Sequence, residues 1–417
     1  MHRRDLWRLT GAVAALCLIA SHADAAVDRF GQLSADSKAA ITQTLDAAVQ
    51  RGDTAGVVAL IVDRDGALYE AAAGNADVTA GIPMRTDAIF NIASMTKPVT
   101  SVATMQLYEQ GKLKLDDPVS KYLPGFDKLQ VITKFNAANG TVESRPAKNT
   151  MTLRHLLTHT SGIGYGFSSP IVTRLQKPGQ NEWDLPLLHE PGTKWAYGAS
   201  TRVLGMIVEK VSGMTLEAYF QQNILQPLGM RDTSFAVPAA KKARVPPVQQ
   251  RDNGTLKQQP APNVPATPPV PSRGDGGLYS TARDYGCFIR MFLNGGKLGE
   301  ARILSERTVK LMGENHIGAV IVQQQPVGVP ALTKPFPLGA GHDKFGLGFQ
   351  ITQQAPGSAP YRSPGSMSWA GIYNTEFWID PKQHIGGVLM MQMLPFYDDG
   401  AIRTLREFES TAYKALR

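Results

Sequence analysis

A serine and a lysine three residues apart, in Phe90-Asn91-Ile92-Ala93-Ser94-Met95-Thr96-Lys97, carry the plainest chemistry in this chain. On a helix, positions i and i+3 share a face about one turn apart, which would set the lysine amine beside the serine hydroxyl. A lone serine is a poor nucleophile at neutral pH because almost none of it is alkoxide. An amine within hydrogen-bond reach, neutral or sharing its proton with a second base, corrects that. The pair points to a serine hydrolase working through an acyl-enzyme on Ser94. Ser-x-x-Lys is common by chance, so the elements that position it must support the chemistry.

A helix is predicted over 94–110. Val99, Val102, Ala103 and Leu107 recur with helical spacing and Gly111 supplies a stop. Asn91 or Ser94 can cap its start. Pro98 is tolerable only near the first turn, where its missing N–H has little to bond to. Ser94 is thereby placed at the helix N-terminus, where aligned peptide dipoles favour a developing negative charge. No Gly-x-Ser-x-Gly elbow surrounds Ser94, which argues against an α/β-hydrolase.

The first 25 residues read as an export signal. His2, Arg3, Arg4 and Arg8 form a positive start, Leu9 to Ala20 is an apolar run, and Ala23-Asp24-Ala25 offers a small-x-small cleavage site. The run is short for a bilayer, so no stable membrane anchor is expected. Cys17 lacks a lipobox, because Leu16 stands where a small residue is wanted. The expected location is periplasmic or secreted after cleavage near Ala25. The Arg3-Arg4 pair leaves general secretory and twin-arginine export both open.

Of two cysteines only Cys287 would survive cleavage, so the fold relies on a large core rather than a disulfide. Within Tyr285-Gly286-Cys287-Phe288-Ile289 it reads as a small buried hydrophobe. The net charge of +8 is scattered, with no basic block beyond Lys241-Lys242 and nearby Arg244. That describes a solvated surface and not a nucleic-acid site. His316 and His342 have no metal-ligand spacing, and neither metal nor cofactor is expected.

Residues 35 to 50 read as an amphipathic helix. Val57 to Val62 and Ala67 to Ala73 read as strands joined by Asp63-Arg64-Asp65-Gly66, a hairpin signal. Residues 133–150 look like a polar surface excursion, and 153–158 like a short helix. Helical spacing covers 201–211 and 215–225, broken at Ser212-Gly213. Pro246 to Pro271 holds eight prolines in 26 residues and is expected to be a long extended loop. Helices are predicted at 281–293, 305–312 and 399–416. Strands are predicted at Phe345 to Thr352, Thr375 to Ile379 and Gly386 to Met393. This order implies an α+β architecture, an antiparallel sheet flanked by the terminal helices. A mainly helical subdomain, roughly 112–340, is inserted between the sheet's parts, all within one domain over 26–417.

Serine catalysis also needs a second proton carrier and an oxyanion site. Two later stretches could supply them, Pro191-Gly192-Thr193-Lys194-Trp195-Ala196-Tyr197-Gly198-Ala199-Ser200 and Ser368-Trp369-Ala370-Gly371-Ile372-Tyr373. With them in chain order stand Leu156-Leu157-Thr158-His159-Thr160-Ser161-Gly162 and Gly276-Gly277-Leu278-Tyr279-Ser280-Thr281-Ala282. Together with the Ser94 tetrad, over about residues 30 to 415, these motifs resemble the serine β-lactamase and penicillin-binding-protein superfamily. Class C β-lactamases and family VIII carboxylesterases are the nearest likeness.

The resemblance implies a β-lactamase/transpeptidase-like fold and a role for each matching position. Ser94 matches the acylated nucleophile and Lys97 the residue sharing its proton. Tyr197 matches the tyrosine of Tyr-x-Asn, which helps deprotonate the serine and protonates the leaving group. It could do so at neutral pH if Lys97 lowered its pKa. The backbone N–H groups of Ser94 and Ile372 match the oxyanion hole, each donor worth on the order of 3 kcal/mol of barrier. His159 reads as a structural loop histidine.

Two departures bear on the substrate. Ala199 replaces the asparagine of Tyr-x-Asn. Trp369-Ala370-Gly371 replaces Lys-Thr-Gly, whose charge and hydroxyl help hold a substrate carboxylate. Trp369 and Gly371 are therefore expected at the substrate, the tryptophan offering apolar area at the mouth of the site. The expectation is an exported carboxylesterase acting on a small-molecule ester. A β-lactamase or D-alanyl-D-alanine peptidase is the competing enzyme, and a catalytically silent cell-wall-peptide-binding protein the alternative of another kind. Oligomeric state has no signature in the sequence.

Overall fold

The computed structural model describes residues 33–353 and 361–416. The export signal expected over 1–25 lies outside the described residues.

Helix α1 (Ala35–Gln50) begins where the Ser34 side chain accepts from the Ser37 N–H at 3.1 Å. Strand β1 (Gly56–Val62) follows and is buried along its whole length. Asp63 Oδ1 closes the expected turn, accepting from the N–H groups of Asp65 (2.8 Å) and Gly66 (2.7 Å). The chain then returns antiparallel as β2 (Ala67–Asp77), and β3 (Ile82–Pro83) forms the edge.

The rest of the sheet comes from the far end of the chain. It consists of β4 (Lys344–Phe345), β5 (Gln350–Ile351), β6 (Met367–Gly371), β7 (Thr375–Asp380) and β8 (Ile385–Met390). The order β4-β5-β6-β7-β8-β1-β2-β3 is antiparallel at every step.

Alternation along β1 explains its unbroken apolar run. Val57, Ala59 and Ile61 join the core beneath α1 and α9 (Asp399–Ala415), while Val58, Leu60 and Val62 join the core on the opposite face. Both faces are covered, so neither needs polar residues.

Between β3 and β4 lies the mainly helical part. It contains α2 (Thr96–Glu109), α3 (Leu153–Leu157), α4 (Pro170–Leu175), α5 (Ser200–Ser212), α6 (Leu216–Phe220), α7 (Ala282–Leu293) and α8 (Glu306–Met312). Helix α7 lies on the sheet across β1 and β8, and α2 is enclosed by α5, α6 and that face. The enclosure is wider than a one-sided stripe. Thr100, Ser101 and Thr104 are buried along with the apolar positions, and Thr104 Oγ1 donates to the Thr100 carbonyl at 2.9 Å. Gly213 ends α5 with φ +72°, as its position after the apolar pattern predicts.

Four local expectations are corrected. The 94–110 helix begins with a tight turn at Ala93–Met95 and becomes α-helical at Thr96, with no side-chain cap. Residues 133–150 are not irregular, since strands Gln130–Asn136 and Thr141–Pro146 pair as a hairpin. The Pro-rich stretch holds a second hairpin, Gln249–Asp252 with Thr255–Gln258, beside Met393–Leu394. Its prolines crowd the two ends and leave 248–259 free to form a ladder, turned by Asn253 and Gly254 at positive φ. The strand expected over Phe345 to Thr352 is two short strands with a turn between them, where Gly348 has φ +100°.

Gly387 pairs across the sheet with Trp378, whose indole lies over it. A Cβ at 387 would sit 2.2–2.6 Å from the ring. Gly387→Ala is therefore expected to destabilise the fold by about 1–3 kcal/mol. Urea unfolding should show a lower midpoint at unchanged slope; an unchanged midpoint would contradict this packing.

Candidate active site

The Ser94 turn is fixed before α2 begins. Phe90–Asn91 pairs with Tyr279–Ser280, and the Ile92 N–H donates to the Leu278 carbonyl at 3.0 Å. Ala93 then takes φ +42°, a conformation non-glycine residues rarely adopt. Asn91 Oδ1 holds it there by accepting from the Ala93 N–H at 3.0 Å, and Gln392 Oε1 holds Asn91 in turn. Ser94 follows, half-buried, and Lys97 lies in the first turn of α2 at 2% exposure. Pro98 is the third residue of that helix, where its absent N–H orphans no carbonyl.

Lys97 Nζ lies 2.9 Å from Ser94 Oγ and 2.7 Å from the Asp275 carbonyl. The rings of Tyr197 and Tyr165 close over it, with centroids 4.7 and 5.2 Å from the nitrogen. Burial strips the ammonium of water and pushes Lys97 down to about 7; the Asp275 charge opposes this, and Arg273 and Arg202 add to it. Near neutrality a large fraction of this amine is thus free to accept a proton.

Asp275 is the centre of the surrounding charge network. Arg202 grips both carboxylate oxygens at 3.0 Å and reaches Glu182 at 3.2 Å, and the Tyr165 hydroxyl also donates to Asp275. Burial would raise this carboxyl, but Lys97, Arg273 and Arg202 outweigh it and hold it well below the usual carboxylate range. Neither Asp275 nor Tyr165 is among the residues predicted from sequence. The available signals are weak: an acid directly before Gly276-Gly277, and an aromatic between Gly164 and Gly166.

Tyr197 stands beside Ser94 on a loop braced by its neighbours. Its N–H donates to Gln325 Oε1 at 2.9 Å, the Ala196 N–H donates to the His159 carbonyl at 2.9 Å, and Gly198 is packed against Ile163. Its phenol departs from expectation. Burial raises it well above the ordinary tyrosine value, and the adjoining Ser94 and Trp369 side chains offset this only in part. Lys97 does not lower it, because the buried amine holds no full charge at neutral pH. Near neutrality the amine is therefore the group of the two able to accept a proton, and Tyr197 stays a protonated phenol.

His159 lies behind Tyr197, ring centroids 4.9 Å apart, with φ +54° and Nδ1 unpartnered among the described residues. Burial holds it well below 6.5, hence neutral.

A cavity of about 700 Å³ opens onto Ser94. Ile372 lines it with Tyr373, Phe167, Val329 and Leu332. Trp369 does not line it. The indole is 7% exposed and packs on Tyr197 (5.0 Å between centroids), Phe345 (5.5 Å) and His159 (6.1 Å). Its N–H lies beside the Tyr197 hydroxyl without a hydrogen bond of normal geometry. The strand does turn this side chain toward the catalytic face, but Tyr197 and Phe345 fill the space in front of it.

Gly371 is likewise buried and off the cavity wall. A Cβ there would fall 2.4 Å from the Ile92 carbonyl and 2.3 Å from Thr375 Oγ1, so a bare backbone lets the end of β6 touch the Ser94 turn. That contact brings the next N–H, Ile372, to the same cavity as Ser94. Among the described residues neither N–H donates to a protein acceptor.

Asp275→Asn removes the charge that holds Lys97 up and leaves Arg202 short of a partner. The fold should lose about 3–5 kcal/mol. The acid limb of any Lys97-dependent turnover should move below about 7. An acid limb shifted upward would contradict the assigned electrostatics.

Residues 41–411 match the family described as Beta-lactamase. The chain is 30% identical over 380 residues to Esterase EstB of Burkholderia gladioli, covering 83% of this chain and 88% of that one. It is 30% identical over 364 residues to the acyltransferase calJ of Penicillium decumbens, 82% and 85% of the two chains. Among solved structures, a mutant of simvastatin synthase (LovD) from Aspergillus terreus superposes with a TM-score of 0.76 at 26% identity, over 92% of this chain and 98% of that one. The hydrolase EstCE1 gives 0.72 at 24% identity, over 91% and 99%, a likeness of fold alone. With that fold, and with Ser94 and Lys97 in contact where the Ala93–Met95 turn enters α2, the chain belongs to the β-lactamase family of hydrolases and acyltransferases.

Proposed function

We propose that this protein is a serine carboxylesterase that cleaves small carboxylic esters through an acyl-enzyme on Ser94. The observation that carries the proposal is the 2.9 Å approach of Lys97 Nζ to Ser94 Oγ in a site dry enough to bring the amine to about 7. The neutral amine takes the Ser94 proton as Oγ attacks the ester carbonyl carbon. The carbonyl oxygen becomes an oxyanion facing the Ser94 and Ile372 N–H groups. On collapse the C–O bond to the alcohol breaks, and the alkoxide takes a proton from Tyr197, which Lys97 replenishes. Water then attacks the acyl-enzyme by the same route in reverse and releases the acid.

An ester fits better than a lactam. Ala199 and Trp369 supply neither the amide-binding nor the carboxylate-binding group that the resemblance associates with lactams and peptides. Phe167, Val329, Leu332 and Ile372 line the cavity with apolar surface. The same volume has room for an alcohol beside the acylated serine, which favours acyl transfer as a second reading; the relatedness to calJ agrees with it. We also propose that residues 1–25 direct export. Expression in a bacterial host should then yield a periplasmic or secreted protein beginning near Ala26, and an uncleaved cytoplasmic product would refute this.

Short-chain nitrophenyl esters should be turned over far better than a chromogenic cephalosporin, and the reverse order would overturn the assignment. A fluorophosphonate adduct on Ser94 should appear by mass spectrometry, whereas no adduct would favour a silent binding protein. Ser94→Ala should abolish turnover with the fold intact, and Lys97→Ala should lose on the order of 10²–10⁴ in kcat/KM. Because the deprotonated amine is the active form, kcat/KM should rise with pH through about 7 and then level off. Adding butanol should divert part of the product to butyl ester if acyl transfer is also available.

A further inference from the structure

Two cations on the cavity wall make or break no bond in the chemistry described, although the Arg273 charge helps lower Lys97 and hold Asp275 ionised. Arg273 sits on the loop just before Asp275, lines the same cavity as Ser94, and is 59% exposed along its side chain. Its contacts with Asp275 are long, 3.4 Å from Nε to Oδ1 and 3.5 Å from a terminal nitrogen to Oδ2. Arg202 already occupies both oxygens at 3.0 Å, and Tyr165 shares one of them. The Arg273 guanidinium therefore faces the cavity with donors to spare.

Lys177 lines the wall as well. Its backbone N–H is fixed by Gln180 Oε1 at 3.2 Å, while its ammonium makes no ion pair among the described residues. The acids on this wall are Asp275 and Glu182, and Arg202 holds both. Two acids set against Arg202, Arg273 and Lys177 leave this wall with one net positive charge apart from Lys97.

We infer that Arg273 and Lys177 form an anion-recognising subsite, and that the preferred substrate is an ester bearing a carboxylate or phosphate remote from the scissile bond. Arg273 offers a planar fork of N–H donors suited to two anionic oxygens, and Lys177 adds a mobile point charge. Phe167, Val329 and Leu332 lie on the same lining and would cover the apolar chain between the two ends. This inference rests on the esterase reading.

The test compares mono-nitrophenyl suberate, which carries a free carboxylate, with its neutral methyl nitrophenyl diester. Wild-type protein should favour the anion roughly tenfold in kcat/KM, since two partly exposed charge pairs each contribute a fewfold. That preference should shrink as salt is raised from about 20 to 200 mM. In the Arg273→Gln, Lys177→Gln double variant the anion-to-neutral ratio should fall to about one, whereas Arg273→Lys should keep most of it. Taking the ratio within each variant cancels any general loss of activity. A phosphate-terminated ester with the same chain tells whether the subsite ranks the two anions. A ratio near one in wild-type protein, or a ratio unmoved in the double variant, would overturn the subsite while leaving the esterase reading intact. Absence of turnover with either ester would overturn both.

Discussion

The site depends on the desolvation of one ammonium group. Lys97 is enclosed by α2, two tyrosine rings and the Asp275 carbonyl. Moving it from 10.5 to about 7 penalises its charged form by roughly 5 kcal/mol, at about 1.4 kcal/mol per pKa unit. The fold bears that penalty in full at neutral pH and below. It is relieved only as pH rises between about 7 and 10.5, where the unfolded chain holds a proton that the folded chain does not. A site tuned for a neutral base is thus a standing weakness of the fold. The buried Asp275 charge offsets part of that penalty, while Arg273 and Arg202 add to it.

The second constraint is the meeting of α2 with the sheet. The Ser94 turn and the end of β6 come from segments far apart in the chain, yet in the proposed mechanism both present an N–H to one point. Gly371 against the Ile92 carbonyl makes the approach possible, and Thr375 Oγ1 reaches the same carbonyl at 3.4 Å. Ala93 at positive φ, held by Asn91, turns the chain from the small Phe90–Ser280 ladder into the helix. Strain at this position is tolerated because the neighbouring hydrogen bonds over-determine it. The proposed nucleophile and oxyanion donors therefore sit in short turns at the ends of α2 and β6, each held directly by those elements.

What sequence alone made legible was local. Spacing placed Ser94 and Lys97 on one face, Asp-Gly placed the first hairpin, and Gly213 closed α5. The motifs that resemble the β-lactamase superfamily anticipated the fold. Environment was not legible in the same way. The side-chain type at 369 was plain, but what lies in front of it was not, and Tyr197 with Phe345 shuts the indole away from the cavity. Tyr197 could be picked out by motif, while its ionisation was misjudged because burial of both partners reverses the simple charge argument. Asp275 escaped because an acid beside glycines usually marks a turn. Only the burial of Lys97, Arg202 and Tyr165 around it reveals another role.

The aromatic packing behind Tyr197 has an optical consequence. The indoles of Trp195 and Trp369 lie with ring centroids 6.4 and 5.0 Å from that of Tyr197, while Trp378 sits beneath α9 and Trp183 beside Arg202. On the proposed mechanism, two of the emitting side chains are thus native probes whose local field changes when the Ser94 hydroxyl becomes an ester. Stopped-flow emission of the unlabelled protein should follow the build-up and decay of the covalent species without a chromogenic leaving group.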